Sequence, residues 1–447
     1  MSQHLGRRAL IIGAGMGGLS AALAAAPHFE EIILLERDTA LEPDTGRPGV
    51  PQGRHAHVLL AAGERALSEL CPGFASDLLA AGAIAYRAGL DLRVERPGYD
   101  PFPARDLGWV VYSLTRPLLE HTLRRRSVAG NVSARAGCRV ERVVLSDDGR
   151  RASGVEYTDG AGSRQSLAGD LVIDASGRGA PCLAALQASG CPLPEETRIG
   201  VEFGYATSQF EMPDEVPEWK GLMLFPRAPE SSRAAILVPM EGRRWMVSLG
   251  GRHRDKPPGD GAGFMDFVRS LRTPTLQRAL ASARRVGDVH RFGFPESVRR
   301  HFERVPRLPR GLLPFGDVIC RFNPVYGQGM AVAAQEAHLL RRVLQSAAAR
   351  AEGVQRVGAE FLAQVPALLD SPWAMSALPD LIYPDTQGER PPDFQQSLRF
   401  SAALLQLAAE DAAVHKLSLE VQHLLQPRSA LRSPELVARV SEIMARL

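Results

Sequence analysis

A glycine-rich turn between an apolar strand and a small-residue helix constrains this chain more than any other feature. Gly13-Ala-Gly15-Met-Gly-Gly18 follows the apolar run Ala9–Ile12 and opens a small-residue helix over residues 16–25. A second strand, Glu31–Leu35, leads into Glu36, 23 residues after Gly13. This is a βαβ opening. Gly13 permits the tight turn, and Gly15 lets backbone approach a pyrophosphate. Gly18 lets helix and strand pack closely, with the helix N-terminus facing the phosphates. Glu36 can accept hydrogen bonds from a ribose diol, and its charge would repel a 2′-phosphate.

A second segment decides between dinucleotides. Far downstream stand Leu312-Leu-Pro-Phe-Gly316-Asp317 and then Asn323-Pro324-Val-Tyr326-Gly327-Gln-Gly329-Met330. A strand ends in Gly-Asp, a loop follows, and a helix starts at Gly327–Gly329. Asp317 can bind the hydroxyls of a ribityl chain. The helix N-terminus can stabilise negative charge on a flavin ring, as it forms on reduction. NAD has no ribityl chain and would not need this segment, so the cofactor expected is FAD.

With these motifs in place, the chain resembles the FAD-dependent monooxygenase superfamily of aromatic hydroxylases and squalene epoxidases, of the bacterial polyketide-tailoring type. The resemblance covers residues 8–40, 113–125, 170–181 and 311–345. It implies that Gly13, Gly15 and Gly18 hold the pyrophosphate and Glu36 the adenosine ribose, with Arg37 beside it. Arg116, in Ser113-Leu-Thr-Arg116, resembles the arginine that reaches the FAD; an ordinary helix-start arginine is the other reading. Val140 stands where backbone contacts adenine. Gly316, Asp317, Pro324, Gly327, Gly329 and Met330 match the second FAD motif. Asp174-Ala-Ser-Gly177-Arg178 stands where aromatic hydroxylases carry an Asp-Gly motif linked to FAD and NADPH, but here the glycine is not adjacent. It is closer to the variants in epoxidases, reductases and halogenases of the same fold.

The loop Gly49-Val-Pro-Gln52-Gly-Arg54-His55-Ala-His57 resembles a segment of bacterial polyketide-tailoring enzymes. Arg54 is a candidate phosphate or flavin contact. His55 and His57 have three readings: flavin contact, substrate contact, or loop hydrogen bonding. Neither has a third partner for a metal, so no metal site is expected.

The rest of the chain completes the layout. Leu59–Leu70 and Arg116–Arg126 have helical spacing, and Val110–Leu114, 139–145, 153–158 and Leu171–Asp174 read as strands. Leu222–Phe225, Ala234–Pro239 and Trp245–Leu249 recur at hairpin spacing and suggest an antiparallel second layer. Arg252–Gly263 reads as a loop. From Gly327 a helix carries apolar residues at 330, 333, 337, 340 and 344. Two C-terminal stripes follow: Val414, Leu417, Val421 and Leu424, then Leu436, Val440, Ile443 and Leu447 behind a helix start at Ser433-Pro434-Glu435. They suit a core, a partner or a membrane surface.

The expected class is α/β. A Rossmann-like FAD-binding domain of the glutathione-reductase type takes residues 1–190 and 306–350. An antiparallel-sheet substrate domain, 191–305, is inserted, and 351–447 form a C-terminal helical region.

Composition narrows the partners. The formal charge is +3, with 53 basic residues against 50 acidic, which argues against nucleic acid. Only Lys220, Lys256 and Lys416 are lysines, so arginine supplies nearly all the positive charge. Five cysteines without a CxxC pair point to reduced thiols in the cytoplasm. No apolar run of about 18 residues spans a membrane. The chain is expected to act as a monomer or homodimer.

The resemblance implies oxygen transfer from a flavin C4a-hydroperoxide, formed from O2 and reduced FAD. NADPH or NADH is the electron source, used directly or through a flavin reductase. The substrate expected is a lipophilic secondary metabolite such as a polyketide, lying between the 198–250 sheet and Pro324–Gly329. Phe203, Tyr205, Met223, Phe225, Trp245 and Tyr326 are candidate pocket walls, and core packing explains them equally well. Epoxidation needs no protein base, so no catalytic side chain is nominated. A halogenase is disfavoured: Trp109, Trp219, Trp245 and Trp373 are isolated, and the first lysine is Lys220. A geranylgeranyl-type alkene reductase and a cyclase or scaffold with structural FAD stay open.

Overall fold

A computed structural model describes residues 4–41 and 47–446 of the chain. Part of the Pro/Gly-rich loop read at 40–57, and Leu447 of the last stripe, lie outside the described residues. The apolar run 9–12 is buried on both faces, as parallel strands require. The strand Gly6–Ile12 sits centrally in a five-stranded parallel sheet. Phe29–Leu35 and Val132–Arg135 flank it on one side, Leu171–Asp174 and Leu312–Pro314 on the other. Helix Met16–Ala25 is buried almost all round, because Gln328–Ala349 covers its far side. Strands Arg139–Leu145, Ala152–Thr158 and Arg164–Ala168 form a separate antiparallel sheet. The fold is thus mixed α/β.

The second layer is a seven-stranded sheet. Its order is Cys320–Arg321, Arg285–Arg300, Glu196–Glu211, Arg244–Arg252, Ala234–Met240, Gly221–Leu224 and Leu92–Glu95. The three hairpin-spaced runs are all strands of it. Two members come from outside 191–305: Leu92–Glu95 pairs parallel with Gly221–Leu224, and Cys320–Arg321 closes the other edge. Arg252–Gly263 is not wholly a loop. Helix Gly261–Arg269 begins inside it, because the Asp260 carboxylate accepts the Gly263 N–H at 2.8 Å. The helix read at 59–70 starts at Ala61, since Val58–Leu59 is taken as a short strand.

Helices Val357–Leu381, Phe394–Glu410, Ala412–Gln422 and Pro434–Met444 form the C-terminal region. Val414, Leu436 and Val440 pack with Phe102, Phe400 and Leu407 in one core cluster, so these stripe residues face protein. Leu424 lies beyond its helix with φ +60° and joins the main core instead. All five cysteines are free thiols, four of them buried. Among the described residues no helix is long and apolar enough to cross a membrane.

Candidate FAD and substrate site

The first glycine turn is built as its spacing requires. Gly13 has φ +96°, and a Cβ there would sit 2.8 Å from the Ala175 carbonyl oxygen. A Cβ on Gly18 would overlap the Gly13 carbonyl oxygen. Gly15 differs: its φ of −85° suits any residue, and among the described residues the only atom near a Cβ would be Glu120 Oε1 at 3.7 Å. Gly13 and Gly18 therefore serve the turn, whereas Gly15 leaves space beside the helix N-terminus. Asp174 faces inward. Its carboxylate is fully buried and accepts the N–H groups of Ser176 at 3.0 Å and Cys182 at 2.9 Å, so it holds the turn beneath Gly13.

Glu36 lies in a buried charge network. It accepts the Ala14 N–H at 2.8 Å and the Asp38 N–H at 3.1 Å. Arg47 meets Glu36 at 2.6 Å, Asp38 at 3.2 Å and Glu120 at 2.8 Å, and Arg116 meets Glu120 at 2.8 Å. Burial pushes the Glu120 carboxyl up, but Arg116 and Arg47 outweigh it and hold it below the usual range. Arg47 and Glu120 were not read from sequence, because a loop arginine and a mid-helix glutamate carry no motif. Arg37 and Arg54 are exposed. Val140 is half-buried, two residues beyond Cys138, whose N–H donates to the Glu36 carbonyl at 2.7 Å.

The network brings the two motifs together. Arg116 is close enough for its charge to act on both Asp317 and His57. Asp317 is exposed, and a Cβ on Gly329 would come within 3.7 Å of its Oδ1. Gly316 and Gly327 have φ +65° and +68°, and Gly327 caps the 22-residue helix Gln328–Ala349. Gln328 is buried with its Oε1 unpartnered. Pro324 is exposed, while Met330 is buried in the main core and packs rather than lining a site. Open space at Gly15, exposed Asp317 and an unpartnered acceptor at a helix start together fit an FAD.

Glu336 lies behind this motif. It is fully buried, its Oε2 accepts the Gly316 N–H at 2.6 Å, and Oε1 is unpartnered. Burial pushes its carboxyl up to about 8. The folded protein therefore holds a proton that the unfolded chain releases near pH 4.5. The stability this proton confers is complete below that pH and is lost as pH rises through about 8. Glu336→Gln should remove this loss. Tm profiles from pH 6.5 to 9.5 should fall less steeply for the variant, by the equivalent of about 2 kcal/mol accrued below pH 8. Parallel profiles would refute the assignment.

The loop after Arg54 docks on the large sheet. His55 Nδ1 lies 2.7 Å from Thr207 Oγ1, which bonds Ser248 Oγ at 2.6 Å, and Ser248 Oγ accepts the Ala56 N–H at 3.0 Å. The ring sits 5.8 Å from Tyr205 and 5.7 Å from Phe292. Burial, then His290 and Arg54, push His55 down to about 4, so it is neutral at physiological pH. Burial and Arg116 lower His57 as well, and its Nδ1 bonds the His55 carbonyl at 2.8 Å.

Strand alternation sorts the candidate walls. Trp245 pairs with Phe210 and packs with Phe264 and Phe267 on the face away from His55, so it belongs to the opposite core. Phe203 is buried with Ile199, Phe294 and Leu381. Tyr205 is half-buried beside His55. Met223 and Phe225 are half-buried and belong to no core cluster.

A further cluster joins three parts of the chain. Asp380, on helix Val357–Leu381, is fully buried. It pairs with Arg252, accepts the Tyr326 hydroxyl at 2.6 Å and accepts Asn323 Nδ2 at 3.2 Å. Asn323 Oδ1 in turn accepts the Tyr205 hydroxyl at 3.3 Å. Arg252 also lies over the rings of Phe203 and Tyr383, at 5.0 and 4.7 Å. Tyr326 was expected as a pocket wall, but its hydroxyl is committed to this cluster. Asp380 gave no sequence signal, being one of three acidic residues of its helix with Glu360 and Asp370.

No protein-family model matches the chain. Protein Rv3254 of Mycobacterium tuberculosis is 30% identical over 389 residues, covering 84% of this chain and 80% of that protein. Three solved structures share the fold. The flavin-dependent brominase Bmp2 has a TM-score of 0.68 at 13% identity, with 98% of each chain covered. The myxobacterial chondrochloren halogenase CndH has 0.64 at 19%, covering 98% of this chain and 96% of its own. The enzyme 2-methyl-3-hydroxypyridine-5-carboxylic acid oxygenase has 0.58 at 17%, covering 88% and 96%. At these identities the likeness speaks for fold. The chain belongs to the family of Rv3254, with the fold of the FAD-dependent monooxygenase superfamily.

Proposed function

We propose that the protein binds FAD and inserts one oxygen atom from O2 into a lipophilic small molecule, by epoxidation or hydroxylation. NADPH or NADH supplies electrons, directly or through a flavin reductase. One observation carries the reading: Glu36, Arg47, Glu120 and Arg116 form a continuous buried chain from the first glycine turn towards Asp317. A bound FAD would supply the O2-activating chemistry. The amides at Gly13–Gly15 would hold its pyrophosphate, and Asp317 would accept ribityl hydroxyls. The start of helix Gln328–Ala349 would stabilise negative charge on the ring. Tyr205, His55 and Phe292 would shield the reacting face from water. The same reading makes residues 1–190 and 306–350 one glutathione-reductase-type domain, and the protein cytoplasmic.

The halogenase fold neighbours do not alter this reading, since the chain has no lysine before Lys220 and no paired tryptophans. The test is the visible spectrum of the purified protein, followed by turnover with labelled O2 in the presence of chloride or bromide. Yellow protein and one labelled oxygen atom in product are expected. Colourless protein, a halogenated product, or unlabelled product formed without O2 would each overturn the proposal.

A further inference from the structure

The large sheet carries a continuous row of side chains on the face that receives His55. Thr207 pairs with Ser248, Ser248 with Ile236, Ile236 with Met223, and Met223 with Val94. Residues in register share a face, so the row crosses five strands and is roughly 19 Å long at the usual strand spacing. It begins polar, under His55, and continues apolar through Ile236, Met223 and Val94.

Arg96 stands just beyond the row's far end. Its guanidinium lies 4.2 Å from the Phe225 ring centre and 5.5 Å from that of Phe102. Phe225 follows Met223 by two residues, and its N–H continues the ladder to the Glu95 carbonyl at 2.8 Å. The Arg96 side chain makes no ion pair or hydrogen bond among the described residues, and its Nε is buried and unpartnered. The neighbouring carboxylates are committed elsewhere. Glu95 bonds Arg93, Thr273 and Thr275, and Asp100 bonds Arg272. On the helical side the charges of Arg96 and Arg105 both act on His415, and the Glu410 carboxylate, which acts on Tyr99, accepts Gln406 Nε2 at 3.3 Å. Burial lowers the Arg96 guanidinium to about 10, which still leaves it charged at physiological pH. Arg96 is half-buried with its Nε enclosed; partial desolvation of a cation without a counter-ion is costly, and two aromatic faces offset only part of that cost.

We infer that Arg96 is the recognition site for a terminal anion, a carboxylate or a phosphate monoester, at the distal end of an elongated lipophilic substrate. The apolar body would lie along Ile236, Met223 and Phe225, with the reacting end near His55. This assignment rests on the oxygenase reading for its reacting end, but the anion site can be tested without turnover.

The test uses FAD-loaded full-length protein and three probes: dodecanoate, dodecyl phosphate and dodecanol. Binding is measured by calorimetry, and FAD content is read separately from the visible spectrum. Wild type should bind dodecanoate or dodecyl phosphate at least tenfold more tightly than dodecanol, and the stronger of the two identifies the head group. Arg96→Gln should abolish that preference while leaving dodecanol affinity and FAD content unchanged, and Arg96→Lys should retain part of it. Equal wild-type affinity for acid and alcohol would overturn the inference, and this comparison needs no variant to fold. A preference unchanged in Arg96→Gln would overturn it too. Loss of the oxygenase reading would appear instead as colourless protein or unlabelled product.

Discussion

Gly18→Ala is expected to yield protein that neither folds normally nor retains FAD, whereas Gly15→Ala is expected to fold and lose FAD alone. The difference lies in what each new Cβ meets. At Gly18 it overlaps the Gly13 carbonyl oxygen, which is backbone of the turn and cannot swing aside. Gly13 is itself confined by the Ala175 carbonyl, 2.8 Å from where its own Cβ would lie. Overpacking of this kind costs several kcal/mol, a large share of the 5–15 kcal/mol typical of whole proteins. At Gly15 the nearest atom is Glu120 Oε1 at 3.7 Å, and the backbone conformation is open to alanine. Apo Gly15→Ala should therefore melt within about 1 °C of apo wild type, a stability change of about 1 kcal/mol or less. The methyl would instead occupy the space left for a pyrophosphate. FAD affinity should fall at least 100-fold, about 3 kcal/mol. Flavin-to-protein absorbance ratios and apo melting curves separate the two effects. Gly15→Ala with full FAD content would show that Gly15 does not face the cofactor.

That contrast bears on what the sequence made legible. The glycine turn was legible residue by residue: the sequence assigns Gly13 to the tight turn, Gly15 to the approach of a pyrophosphate and Gly18 to close packing, and the structure leaves no room for a Cβ at Gly13 or Gly18 but open space at Gly15. The parallel core was readable because its strands are continuous apolar runs, buried on both faces. The hairpin strands were readable from their spacing. Arg285–Arg300 was not, because its sequence is largely polar and few of its residues are buried, and its strand character comes from pairing with Glu196–Glu211. Leu92–Glu95 joins the sheet through a non-local parallel pairing that no local pattern announces. Arg47, Glu120, Arg252, Asp380 and Arg96 fell outside every motif for a common reason. Each matters through partners distant in sequence, and a lone charged residue in a chain reads as surface. Tyr205 was readable as a candidate wall, but which face of its strand receives the loop at His55 is set by where that loop docks.

Asp380→Ala should be the most destabilising single change outside the glycine turns. It leaves Arg252, 5% exposed, without its carboxylate, and it removes acceptors from Tyr326 and Asn323. Breaking a buried pair by deleting one partner costs about 3–5 kcal/mol, because the surviving charge stays desolvated. Removing both charges with apolar residues of similar size avoids that penalty. The Asp380→Leu/Arg252→Met double variant should therefore recover most of the lost stability. It should not recover the anchoring of Asn323 and Tyr326, which flank Pro324 in the loop before the helix Gln328–Ala349. Denaturant unfolding should rank the proteins wild type, double variant, then Asp380→Ala. FAD dissociation should be faster than wild type in both variants. Such a split would show that the cluster acts on the flavin loop as well as on stability, making Asp380 a positioning residue. If the double variant recovers FAD retention together with stability, the cluster is only a structural contact. If Asp380→Ala unfolds within 0.5 kcal/mol of wild type, a threshold at the edge of ordinary surface substitutions, the buried pair contributes nothing in solution.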